Sequence, residues 1–271
     1  SKVQASLMIK WIFPIIFIVL LMMTIMYYRA FRKQISLQKV YPKNHRLYEP
    51  PMDLPPMVLA EAIYSTSLEE VSPLFIMIYS FIQGVGVAAM KLGAPDYVFV
   101  PAYVLLAGIF TFVTYKWYKT GTVTIEKTAL NKYIWLPALV WALVIVAQFF
   151  LPNDPSVNQQ TAEELTHNQP LFAFFMIVVF APLTEELTFR GMLARYVFPQ
   201  QDNIKQTALF LLVTSIIFAL VHFPGTPQQF LVYGSLGLSL GLAYISKGGL
   251  TYSIALHALN NLIGFLMILM L

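Results

Sequence analysis

The chain contains no cysteine, which excludes disulfide staples, thiolate catalysis and cysteine-ligated zinc or iron–sulfur centres. Charge is also scarce. Only 11% of the 271 residues are Asp, Glu, Lys or Arg, against 58% hydrophobic, and the mean hydropathy is +0.68. A soluble domain of this size carries about a quarter charged residues, so a soluble enzyme, a disordered chain and a repeat solenoid are all excluded. The roughly 157 apolar residues implied by that fraction would fill about seven or eight membrane spans at about 20 residues each. The small basic surplus, +4, then belongs to cytoplasmic loops rather than to a nucleic-acid surface, and nucleic acid is not expected as a partner.

The expected fold is an all-α polytopic membrane protein of about eight transmembrane helices. The first apolar run, Ile9 to Tyr28, is followed by Arg29, Arg32 and Lys33 rather than by small residues at a cleavage site. It reads as a retained anchor with its N-terminus outside. Residues 1–70 join this anchor to a connector stiffened by Pro50, Pro51, Pro55 and Pro56, with a short helix expected at Met57 to Tyr64. Residues 71–133 hold a hairpin, Pro73 to Met90 and Tyr97 to Tyr115, and a basic loop with Lys116, Lys119, Lys127 and Lys132. That loop faces the cytoplasm on the same charge rule.

Residues 134–271 form the remaining unit. Its expected spans are Ile134 to Leu151, Pro170 to Gly191, Gln206 to Phe223, Gln229 to Ser246 and Leu250 to Leu271. A loop from Pro152 to Gln169, acidic and without Lys or Arg, faces outward. Gly237 and Gly241, four residues apart, suit a close helix crossing.

Glu-Glu occurs three times, and two of the pairs, Glu69–Glu70 and Glu163–Glu164, lie in polar surroundings. The third differs. Glu185 and Glu186 follow a long apolar run and precede Leu187, Phe189 and Met192, at a depth where an unpaired carboxylate costs several kcal/mol. Arg190 is one helical turn beyond Glu186 and can pair with it, which leaves Glu185, about 100° around the helix, free to face a cavity. His222 and His257 also lie in apolar helices. Asn261 shares the face of His257, and Phe218 lies one turn before His222, where it can stack on the ring.

A carboxylate, two imidazoles and an amide are the parts needed to hydrolyse an unreactive carbonyl, with the carboxylate deprotonating water and the donors meeting the oxyanion. The same Glu185, His222 and His257 could instead hold a divalent metal such as zinc, although the His-Glu-x-x-His helix of soluble metalloproteases is absent.

Taken in order, Glu185-Glu186-x-x-x-Arg190, Phe218-x-x-x-His222 and His257-x-x-x-Asn261 resemble the three signature motifs of the CPBP (Abi) family. That family comprises type II CAAX prenyl endopeptidases and bacterial bacteriocin-processing or self-immunity proteins. The resemblance covers about Ile134 to Leu271. It implies an intramembrane endopeptidase in which Glu185 with His222 activates water, His257 with Asn261 forms the oxyanion hole, and Glu186 and Arg190 support them. It further implies a bacterial or archaeal cell membrane, a site opening to the cytoplasm, and a membrane-associated protein or peptide substrate. A membrane or cell-envelope protein partner fits the rival reading, a silent scaffold or immunity protein; a second rival is a proton or cation transporter. On straight spans Glu185 would lie about 8 Å from the inner face and His222 about 25 Å from it. Convergence therefore requires either a surface helix near Ala194 to Phe210 before span six or a break at Pro182.

Overall fold

The computed structural model describes residues 95–119, 132–151, 154–192 and 204–271. These residues are helical throughout their regular structure, with no strand among them. The anchor at Ile9 to Tyr28, the Pro-rich connector, the helix at Met57 to Tyr64 and the span Pro73 to Met90 lie outside the described residues, as does most of the basic loop.

Seven helices are described: α1 (Asp96–Lys119), α2 (Leu136–Gln148), α3 (Val157–Asn168), the composite α4, α5 (Ile204–Val221), α6 (Pro227–Lys247) and α7 (Leu250–Met270). α4 is one continuous run in four pieces: Pro170–Ala173, a π-helical stretch Phe174–Phe180, an α turn Ala181–Glu186 and a second π stretch Leu187–Met192. Of the seven, α4 to α7 are long and apolar enough to cross a membrane, while α2 is a shorter apolar helix. Their outer faces carry exposed leucines such as Leu212, Leu220 and Leu266, the surface that lipid covers in an integral membrane protein.

One expectation is corrected. The segment Pro152 to Gln169 is not simply a loop, because residues Val157–Asn168 form α3. This helix is polar and has no apolar stripe to announce it. Its start is fixed by Ser156, whose side chain accepts from the Gln159 amide, satisfying one of the orphan donors of the first turn. α6 begins in the same way at Thr226, which accepts from the Gln229 amide, and ends on Gly248 at φ 77°, a conformation that favours glycine.

Aromatic packing joins α1, α4 and α7. Phe172 is fully buried between Phe99 and Tyr103, at 4.6 and 4.9 Å between ring centroids, and Phe174 meets Phe265 of α7. α5 and α6 approach closely at Gly237, where an added Cβ would stand 3.1 Å from the Ser215 Cα and 3.2 Å from the Phe218 Cβ. Gly241 lies one turn along the same face, against the Leu211 side chain. Without a hydrophobic drive between helices in lipid, such close backbone contact supplies the packing attraction.

The surface helix expected near Ala194 to Phe210 lies outside the described residues up to 203, and from Ile204 its residues belong to α5. The departure from straight spans occurs instead around Pro182, in the first turn of the α segment that the two π stretches flank. π turns shorten and rotate a helix relative to α geometry, so distances counted along ideal helices do not apply to α4.

Candidate active site

Glu185 and Glu186 end the α turn Ala181–Glu186 between the two π stretches of α4, and Arg190 lies on the second stretch. Glu186 is fully buried, and its Oε1 accepts from Arg190 Nη1 at 3.0 Å. Arg190, also fully buried, donates from Nη2 to the Gly237 carbonyl of α6 at 2.6 Å, and its guanidinium lies 5.0 Å from the centre of the Phe218 ring. The close crossing at Gly237 therefore does two things: it admits α5, and it brings a bare carbonyl within reach of the arginine fork. A bidentate, planar cation suits this position, since one group must meet a carboxylate on its own helix and a carbonyl on another.

Glu186 Oε1 also lies 2.7 Å from His257 Nδ1. With the carboxylate held ionised by Arg190, Nδ1 carries the proton and donates to it. The other ring nitrogen, Nε2, then faces Glu185 Oε2 at 3.5 Å. His222 is arranged in the same way from α5. Its Nδ1 stands 2.6 Å from the Phe218 carbonyl, which can only accept, and its Nε2 faces Glu185 Oε2 at 3.8 Å. Both imidazoles thus have their tautomers set by the partner of Nδ1, and both present Nε2 to one carboxylate oxygen.

The sequence placed Glu185 on a different face from the paired carboxylate, and it is so. The Glu185 side chain keeps 22% exposure where Glu186 has none. Glu185, Glu186, Arg190, His222, His257 and Phe218 all come together. Phe218 stacks on His222 at 4.3 Å, as its spacing implied, and also meets His257 edge-on at 5.6 Å. Asn261 is near but directed elsewhere: its Nδ2 donates to the Ile177 carbonyl of α4 at 2.8 Å.

Sequence reasoning missed Tyr233. Its ring lies against the imidazole of His222 at 4.8 Å and an interplanar angle of 25°, so with Phe218 it confines the imidazole between two aromatic rings. The Tyr233 hydroxyl is 2.6 Å from Ser156 Oγ, tying this clamp to the start of α3. No spacing rule links residues on α5, α6 and α3; only their packing reveals the contact. Replacing Tyr233 with Leu is expected to lower kcat about tenfold, a loss of roughly 1.4 kcal/mol in transition-state stabilisation, through a misaligned His222. Tyr233→Phe, which keeps the ring and loses only the hydroxyl's contacts with Ser156 and Asn158, is expected to fall much less. Steady-state kinetics on the two variants would check the difference.

Residues 167–263 match the family model described as Rce1-like, type II CAAX prenyl endopeptidase Rce1-like. This stretch is similar to that family's domain. The resemblance carried by the three motifs is thereby confirmed over the segment that contains all of them, rather more than a third of the chain. No curated protein and no solved structure matches. The matched stretch begins within α3 and runs through α4, α5 and α6 into α7, so every side chain described above as converging lies in it except Ser156. The family is one of CAAX-type intramembrane proteases.

Metal binding is a matter of donor geometry. Glu185, His222 and His257 are the right kinds of ligand, but among the described residues no three His, Asp or Glu side chains are grouped so as to hold a metal ion.

Proposed function

We propose that the chain is an intramembrane endopeptidase that uses Glu185 as its general base, acting on membrane-associated proteins or peptides. The observation that carries this reading is the facing of Glu185 Oε2 by two imidazole Nε2 atoms at 3.5 and 3.8 Å. Those gaps exceed a direct hydrogen bond, and a water about 2.8 Å from each atom would bridge them from beside the line that joins them.

In the reaction, Glu185 takes a proton from this water as its oxygen attacks the peptide carbonyl carbon. In its doubly protonated form His257, with Nδ1 engaged by Glu186 Oε1, donates from Nε2 to the developing oxyanion. Collapse of the tetrahedral intermediate breaks the C–N bond, and the proton held by Glu185 passes to the leaving nitrogen, with His222 beside the same oxygen to relay it. Glu185 ends as it began. Glu186 and Arg190 are spectators to the proton transfers; their work is to orient His257. A scaffold would have no need of two imidazoles fixed in matching tautomers.

The test is proteolysis by the purified full chain in lipid vesicles, read by mass spectrometry. Three peptides serve as substrates: a prenylated CAAX peptide, the same peptide without its lipid, and a membrane-inserted leader peptide. Cleavage of any one supports the protease, and the pattern identifies the substrate class, with the prenylated CAAX peptide expected to be cut fastest. Intact peptides in all three arms, from protein that remains folded, would favour the scaffold.

A further inference from the structure

At the end of the first π stretch of α4 the Ala181 N–H reaches the carbonyl five residues back, that of Met176. The next amide in that register would serve Ile177, but residue 182 is proline and has no N–H to give. The Ile177 carbonyl instead accepts from Asn261 Nδ2, an amide supplied by α7, at 2.8 Å. A buried carbonyl released from its helix otherwise carries the cost of an unmade hydrogen bond.

The orientation of this carboxamide is dictated from both ends of a short relay. Trp141 of α2 has only a donor, Nε1, and it meets Asn260 Oδ1 at 3.2 Å. The Asn260 amide is therefore turned so that its Nδ2 faces Asn261 Oδ1, at 3.3 Å. That leaves Asn261 Nδ2 toward Ile177, whose carbonyl can only accept. Donor and acceptor roles alternate consistently along the whole path.

We infer that Asn261 is a positioning residue that stands in for the backbone amide Pro182 lacks, and that Trp141 and Asn260 fix its orientation. α2 and α7 thereby clamp the junction at which α4 changes from π to α winding, immediately before the turn that carries Glu185 and Glu186. Turnover is used below only as a second readout that rests on the proposed function; the stability readout stands without it.

A double-mutant cycle tests this directly. Asn261→Ala should lower the thermal midpoint of the purified chain in detergent, because the Ile177 carbonyl loses its donor. Pro182→Ala restores an amide at residue 182, so the variant carrying both substitutions should regain much of that midpoint. Asn260→Ala, which keeps Asn261 but frees its orientation, should lower kcat roughly tenfold with KM little changed, the effect of one lost hydrogen bond acting on geometry. Asn260→Asp should be no better than Asn260→Ala, since a carboxylate can accept from Trp141 but cannot donate to Asn261. The inference is overturned if Asn261→Ala melts with the parent, or if adding Pro182→Ala recovers none of the lost stability. If the parent itself cuts no peptide, the protease reading fails while the melting cycle still decides this inference.

Discussion

Glu185→Gln is expected to reduce peptide cleavage by about 10²- to 10⁴-fold, the contribution of a positioned general base, while leaving the unfolding midpoint close to that of the parent. The separation of the two readouts follows from the geometry. Glu185 makes only long approaches to the two imidazoles, at 3.5 and 3.8 Å, and its Oε2 is buried without a hydrogen-bond partner, so the amide removes the base without breaking a close contact. Glu186→Gln should behave differently. It discharges a fully buried carboxylate that meets both Arg190 and His257, so stability and turnover should fall together. Adjacent glutamates with opposite signatures are what one α turn between two π stretches produces. If Glu185→Gln cleaved at the parent rate, the proposed base would be wrong whatever the family.

Arg190→Ala carries the largest expected cost to the fold. It strands the Glu186 carboxylate at full burial, and breaking a buried pair from one side typically costs about 3–5 kcal/mol. In a chain of this size that corresponds to a fall in melting temperature of roughly 6–20 °C. The Gly237 carbonyl loses its donor at the same time, which loosens α6 against α4. Arg190→Lys should recover only part of the loss, because an ammonium cannot span the carboxylate and the carbonyl with the geometry of a fork. The informative variant combines Arg190→Met with Glu186→Gln. Removing both charges avoids the stranded ion, so the fold should return toward the parent, yet His257 would lack its anionic partner and cleavage should stay low. A calorimetric scan and an activity assay on the same preparations would separate these outcomes.

The site was legible in the sequence because charge inside an apolar segment is rare and helical spacing is strict. Glu186 and Arg190, and likewise Phe218 and His222, lie four residues apart, and each pair meets as that spacing requires. The different fates of Glu185 and Glu186 also followed from the turn of one helix. What stayed hidden depends on contacts between helices. Tyr233 is one of 15 tyrosines and nothing local marks it as the second ring against His222. The first π stretch of α4 ends two residues before Pro182, and the Ile177 carbonyl accepts from a side chain on α7, a contact no window of sequence contains. α3 is hidden in the sequence because its residues are polar and lack the apolar period by which helices announce themselves. The apparent mismatch in depth between His222 and Glu185 had the same source, an assumption of ideal α geometry through Pro182.

The central physical claim is that side chains from α4, α5 and α7 share one small volume. The absence of native cysteine gives a clean background for testing it by cross-linking in intact membranes. Glu185 paired with His222, and Glu186 paired with His257, would each be replaced by cysteine and treated with a short bifunctional thiol reagent, with linked peptides identified by mass spectrometry. A control pair would combine Glu185→Cys with Leu266→Cys, the latter on an exposed face of α7. The account expects both site pairs to link efficiently and the control pair to remain unlinked. Site pairs that link no better than the control would mean that the three helices do not bring these residues together, and the catalytic assignment would fall with them.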